Sequence, residues 1–183
     1  MLNLPPDELR ALLRSCLNVD RWVDDVSAAA PYDSEEQFLE VASMSATPLT
    51  ESEIDEALAD HPRIGEKHAG QGAAQAFSKS EQSSADAEDA EVNAAVARGN
   101  AVYEQRFGRV FLVRAKGRSR AEILGELTRR LELDPETEVG IVASELRDIT
   151  MLRLRAVAGE LAAESSPSQG MQSQEMQSQE MQK

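Results

Sequence analysis

The chain has 183 residues, enough for one domain with a full core and too few for two ordinary ones. Hydrophobic residues make up 41% but aromatic residues only 4%, and the abundance of Ala and Leu favours helix packed on helix, so the predicted fold class is all-α, a single-domain multi-helix bundle. A formal net charge of −14 repels a phosphate backbone and sets nucleic acid aside as a partner, while no run of about 18 apolar residues is available to cross a bilayer.

In chain order, Leu9, Leu12, Leu13, Cys16 and Leu17 form the apolar stripe of a first helix entered through Pro5 and Pro6. Trp22, Val23, Val26 and Ala30 mark a short second helix, and the capping boxes Ser34 with Gln37 and Thr50 with Glu53 open a third and a fourth. The fourth, over Glu51 to Asp60, carries Ile54, Ala57 and Leu58 at helical spacing and stops at His61-Pro62, because proline cannot continue it. A Gly-rich loop from Pro62 to Phe77 follows, and a structureless stretch of that length inside a domain is usually functional or disordered. A long Ala-rich helix is predicted from Lys79 to Arg106, with Gly108 placed to end it. Val110-Phe111-Leu112-Val113 reads locally as a strand that nothing else in the chain can pair with. It is therefore expected to be a buried extended connector whose backbone groups need partners, a ligand among the candidates. Ser119 with Glu122 caps a helix bearing Ile123, Leu124, Leu127 and Leu131, and Asp134-Pro135 begins a last helix that runs past Val157. From Ser165 the chain becomes Ser-Pro-Ser-Gln-Gly and then repeated Met-Gln-Ser-Gln-Glu, with too little apolar surface to fold alone. The domain is thus expected over residues 1–164, with 165–183 a disordered tail.

Three groups of residues carry chemistry. His61 follows Ala57 and Leu58 on the inward face of its helix, and an inward imidazole ahead of a loop rich in N–H groups is either an acid/base site or a core histidine with one hydrogen-bond partner. Arg153 falls in the middle of the apolar face formed by Val142, Leu146, Ile149 and Val157. It needs an anion beside it, either a structural Asp or Glu or a substrate carboxylate. Ser78, Glu81 and Gln82 open the long helix; Ser-x-x-Glu is a capping box, yet a Glu and a Gln in a first turn also suit the N–H and C=O groups of a urea-like ligand. Gly70-Gln71-Gly72 lacks the third glycine and the preceding strand of a nucleotide loop. With Cys16 the sole cysteine and His61 and His68 the only histidines, no disulfide within the chain and no metal site are expected. The N-terminus lacks the basic and then apolar pattern of a secretory signal, so a cytoplasmic location is predicted.

Read in order, His61-Pro62-Arg63-Ile64-Gly65, then Ser78-x-x-Glu81-Gln82, then Asn100-x-x-Tyr103-x-x-Arg106-Phe107-Gly108-x-x-Phe111-Leu112-Val113, then Gly117-Arg118-Ser119 and Leu152-Arg153-Leu154 resemble the 2-oxo-4-hydroxy-4-carboxy-5-ureidoimidazoline (OHCU) decarboxylases of urate catabolism over about Leu49 to Val157. The resemblance implies a cofactor-free, all-α carbon–carbon lyase, usually a homodimer, whose substrate is OHCU and whose product is (S)-allantoin. It further implies His61 as catalytic acid/base with Pro62 lining the ring beside it, Ser78, Glu81 and Gln82 as ligand contacts, and Arg153 as the substrate-binding arginine. Backbone groups of Phe111, Leu112, Val113, Arg114 and Ala115 are expected to border the ligand. Two positions depart from the family pattern: an aromatic is more usual than Arg109, and a small residue is more usual than Arg114. The competing reading is a non-enzymatic acidic helical module, which would keep the capping boxes but has no need for His61 and Arg153 to point inward together.

Overall fold

The structure, a computed structural model, describes residues 4–59, 61–65, 76–77, 81 and 89–164, with side chains as far as Gly159. Seven helices and no strand occur among the described residues: α1 (Pro6–Cys16), α2 (Asp20–Ala28), α3 (Glu35–Ser45), α4 (Glu51–Leu58), α5 (Ala90–Phe107), α6 (Arg120–Arg130) and α7 (Pro135–Glu164). No helix among them is long and apolar enough to cross a membrane. The predicted tail, 165–183, lies outside the described residues.

Local chemistry starts and stops these helices as the sequence leads one to expect. Pro6 opens α1, Ser34 accepts the Gln37 N–H, and Thr50 with Glu53 and Ser119 with Glu122 close both halves of a capping box. The Gln37 side chain returns to the N–H of Asp33 rather than to that of Ser34. Gly108, at φ 71°, ends α5 in the left-handed conformation that a side chain would resist. Three boundaries differ: α2 ends at Ala28, short of Ala30, α4 ends at Leu58, short of Asp60, and the long helix begins at Ala90, not near Lys79. Asp89 caps it, its carboxylate accepting the N–H groups of Glu91 and Val92 at 3.0 Å each, and this local bond outweighs the helix propensity of the flanking Ala and Glu residues.

The helices enclose two apolar clusters. The larger gathers Leu13, Trp22, Phe38, Ile54, Leu146 and Leu154 from α1 to α4 and α7; the smaller joins Val96 and Tyr103 of α5 to Ile123 and Leu127 of α6. Gly99 permits the close approach of α5 and α6, because a Cβ there would stand 2.5 Å from Leu127 Cδ2. The connector between α5 and α6 runs along the seam. Leu112 packs into the larger cluster, while Phe111, Val113 and Ala115 pack into the smaller, the period-two alternation of an extended chain.

A buried polar network crosses this seam. Arg130 is wholly buried, and its Nε lies 2.9 Å from Glu138 Oε1 and 3.1 Å from Oε2 while its Nη1 donates to the Leu112 carbonyl at 2.7 Å. The Tyr103 hydroxyl donates to the same Glu138 carboxylate, and burial followed by this bond holds the phenol above its ordinary pKa, so that it stays protonated. The guanidinium also stacks 4.8 Å from the Phe111 ring centroid. Removing one partner strands the other charge in the interior. Arg130→Met is therefore expected to cost about 3–5 kcal/mol in urea unfolding, and the double variant Arg130→Met/Glu138→Leu to recover most of that loss.

Candidate active site

His61 is held between two well-fixed segments. Upstream, α4 is anchored on the larger cluster by Ile54 and Leu58, and it is tied to α2 by the Arg21–Glu53 ion pair in its first turn and by the Asp20 N–H, which donates to Glu56 at 2.8 Å. Arg21, ahead of the Thr50 bonds, holds the Glu53 carboxyl down at about 2, so this tie persists through the neutral range. The helix proper ends at Leu58, whose carbonyl accepts the His61 N–H at 3.0 Å; the imidazole-bearing residue and Pro62 are both half-buried.

Downstream, the next two residues are bonded to α5. Arg63 Nη2 donates to Glu104 Oε2 at 2.9 Å and holds that carboxyl below the usual carboxylate range, while Asn100 Nδ2 donates to the Ile64 carbonyl at 3.2 Å. Asn100 and Glu104 are four residues apart and so share one face of α5. Ile64 itself is buried in the smaller cluster, and Gly65 then turns the chain at φ 83°, a conformation that accounts for glycine at this place in the motif.

The anion beside Arg153 is Glu81. The pairing is the parallel two-bond fork, Nε to Oε1 at 2.7 Å and Nη2 to Oε2 at 2.8 Å, with the arginine only 8% exposed. Nη1 donates to the Cys16 carbonyl at the end of α1 at 3.3 Å, and the Phe77 ring lies 5.6 Å from the guanidinium carbon. A guanidinium held from α1, from Phe77 and from Glu81 has one orientation available, and it imposes that orientation on the carboxylate. Cys16 contributes its backbone, not its sulfur: burial pushes the thiol up to about 11, which leaves it protonated and unreactive near neutrality. Both α1 and α4 pack on α7, so the helix that bears Arg153 is the common support of the His61 and Glu81 segments.

The connector residues expected to border a ligand are buried at Phe111, Leu112, Val113 and Ala115 and half-buried at Arg114. Arg114 turns its side chain into a groove of about 900 Å³ between α3 and α7, lined also by Glu36, Glu40, Arg147 and Arg155. Its backbone N–H donates to Glu145 Oε2 on α7 at 2.7 Å. Arg109, the other departure from the family pattern, reaches α4 instead, with Nη2 3.1 Å from Asp55 Oδ1. The structure thus joins Glu81 and Arg153 directly and seats His61 and Pro62 at the end of a helix packed on the same support. Ser78 and Gln82 lie outside the described residues. Sequence reading passed over Phe77, Glu145 and the Arg130–Glu138 pair. Arg130 follows Leu127 by three residues and Glu138 precedes Val142 by four, so each lies on an apolar helical face, the same signal that marked Arg153.

Fold and site together define a helical-bundle protein that fixes a carboxylate with a buried arginine and presents a histidine from a rigid helix end. The chain belongs to the OHCU decarboxylase family, whose sequence model matches residues 3–155. It is 29% identical over 151 residues to the uric acid degradation bifunctional protein TTL of Arabidopsis thaliana, covering 80% of this chain and 46% of that protein. It is 35% identical over 101 residues to the 2-oxo-4-hydroxy-4-carboxy-5-ureidoimidazoline decarboxylase of Mus musculus, covering 54% of this chain and 57% of that one. The chain spans about half the length of the curated relatives it matches. Among solved structures, OHCU decarboxylase in the presence of (S)-allantoin superposes with a TM-score of 0.65 at 25% identity, covering 79% of this chain and 94% of that one. An (S)-allantoin synthase shares the fold at a TM-score of 0.56 and 18% identity, over 84% of this chain and 50% of that one.

The fork between Arg153 and Glu81 yields a specific expectation. Lysine keeps the charge but has no planar pair of donors, so Arg153→Lys should leave the carboxylate able to rotate. Steady-state kinetics should show kcat/KM lowered at least about tenfold, with the melting temperature near that of the parent chain. A large fall in melting temperature with intact turnover would make the fork structural only.

Proposed function

We propose that this chain catalyses the cofactor-free decarboxylation of OHCU to (S)-allantoin. Family membership supports the reaction class, and the observation that carries the reading is the two-bond lock between Glu81 and Arg153: an inward arginine, costly in an apolar interior, spends its charge on a residue suited to contact a ligand. The relation to a protein solved in the presence of (S)-allantoin supports the choice of product.

The substrate carries its carboxylate on a carbon adjacent to a ring C=N bond. When the bond to the carboxylate breaks, carbon dioxide leaves and the electron pair passes into the imine, so the substrate is its own electron sink. The hydroxyl on the carbon that lost the carboxylate then gives up its proton and becomes the ring carbonyl, and a proton added to one face of the former imine carbon completes the product. The protein has to orient the leaving carboxylate perpendicular to the ring, hold the ring, and manage the proton. In this reading His61 acts on the carboxylate and hydroxyl side as acid/base and Pro62 lines the ring. Glu81, held by Arg153, accepts ring or ureido N–H groups together with Ser78 and Gln82, and Arg153 places positive charge near the developing anion. The backbone of Phe111 to Ala115 borders the opposite side. The proposal extends to a homodimer acting in the cytoplasm.

The test is an assay on freshly generated OHCU with (S)-allantoin followed by circular dichroism. Within it, His61→Asn should lower turnover by about 10²-fold or more, the loss typical of removing an acid/base group, while the far-ultraviolet spectrum and melting temperature stay close to those of the parent. A folded His61→Asn protein with undiminished turnover would remove His61 from the chemistry.

A further inference from the structure

Among the described residues no strand neighbours the connector, yet two charged side chains bond one of its edges. In an extended chain the N–H and C=O of one residue point to one side and those of the next to the other. Arg130 takes the Leu112 carbonyl at 2.7 Å, and Glu145 takes the Arg114 N–H at 2.7 Å. Leu112 and Arg114 are two residues apart, so both bonds lie on the same edge, and the alternation of side chains between the two clusters shows that this stretch has the required period. The opposite edge belongs to Val113. Among the described residues no hydrogen bond reaches its N–H or C=O, although the residue is only 2% exposed. A buried backbone donor and acceptor left side by side form an unfilled amide edge, matched by a ligand group that offers C=O and N–H together, as a ureide does.

We infer that Glu145 is a positioning residue: by holding the Arg114 N–H it sets the rotation of the connector about its own axis and so turns the Val113 amide edge toward the ligand. This rests on the reading that the connector borders the substrate. Glu145 is well placed for the task. It lies on α7 eight residues before Arg153, about 12 Å along the same helix at 1.5 Å per residue, so one rigid element registers both the Glu81 carboxylate and the connector edge. Arg118, with Nη1 3.9 Å from Glu145 Oε1, balances its charge from the far side of the turn that follows the connector. Arg130 supplies the matching hold at Leu112, but its burial ties it to stability, whereas Glu145 keeps contact with solvent and can be changed with less risk to the fold.

The experiment compares Glu145→Met, which keeps the length of the side chain and removes the acceptor, with Glu145→Gln, which keeps an acceptor and removes the charge. Measured on OHCU, KM of the Met variant should rise about tenfold with a smaller change in kcat, as expected when an interaction made throughout the reaction is lost. The Gln variant should return KM to within about threefold of the parent, since an amide oxygen can still accept the Arg114 N–H. Calorimetric titration with (S)-allantoin should show the same order of affinities, and exchange of the Arg114 amide proton should quicken in the Met variant alone. A Met variant with parental KM and parental allantoin affinity overturns the inference, as does a Gln variant as impaired as the Met variant. If the Met variant does not fold, the Gln variant decides: parental KM with a protected Arg114 amide upholds the role, and a tenfold rise with that amide still protected overturns it. A parent protein that binds (S)-allantoin but does not turn over OHCU would instead refute the proposed reaction and leave the connector edge to be judged by binding.

Discussion

The buried guanidinium of Arg130 is the constraint on which the rest of the molecule turns. It binds the Glu138 carboxylate at the start of α7, the Leu112 carbonyl of the connector and, through Glu138, the Tyr103 hydroxyl of α5. Three segments remote in sequence are thereby registered at one point. A charge without water has to satisfy its donors in fixed directions, so the network dictates geometry where a purely apolar contact would tolerate sliding. The two apolar clusters supply most of the attraction, but this point sets how they meet.

From that registration follows the role of α7. Its 30 residues support α1, α3 and α4, and its inward groups recur along its length: Glu138 for Tyr103 directly and for the connector carbonyl by way of Arg130, Glu145 for the connector N–H, and Arg153 for Glu81. Charged side chains on the face of a helix that packs into a core are costly one at a time. Here each has a partner from a different part of the chain, so one helix registers α5, the connector and the Glu81 segment. His61 is added from the side, at the end of a short helix whose start is capped and whose exit is bonded to α5. The arrangement keeps the groups proposed for acid/base and anion handling on elements tied by packing and hydrogen bonds, as accurate positioning requires.

Much of this was legible from local signals. Capping boxes at Thr50 and Ser119 work through bonds of three-residue span, so their sequence pattern is nearly their structure. The left-handed turn at Gly108 is likewise a single-residue effect, whereas α4 stops at Leu58, ahead of the expected break at His61-Pro62. Arg153 was visible as a cation on an apolar stripe, and the same logic would have found Arg130 and Glu138. The start of α5 was not legible, because Asp89 is one acid among several in a run of helix formers and only its bond to two N–H groups makes it a cap.

What the sequence by itself determined, then, was the helical fold class, most helix ends, the inward placement of Arg153, and an extended connector that no strand among the described residues pairs with. These depend on interactions within a few residues or on periodicity, which one chain displays in full. Tertiary structure alone decided which anion faces Arg153, which side chains bond the connector, and that Arg109 reaches Asp55 while Arg114 turns into the groove between α3 and α7. Partners such as Glu81 and Arg153, 72 residues apart, or Arg114 and Glu145, 31 apart, are chosen by how helices pack. Nothing in the spacing of an arginine and a glutamate along a chain distinguishes the pair that meets from the many that do not.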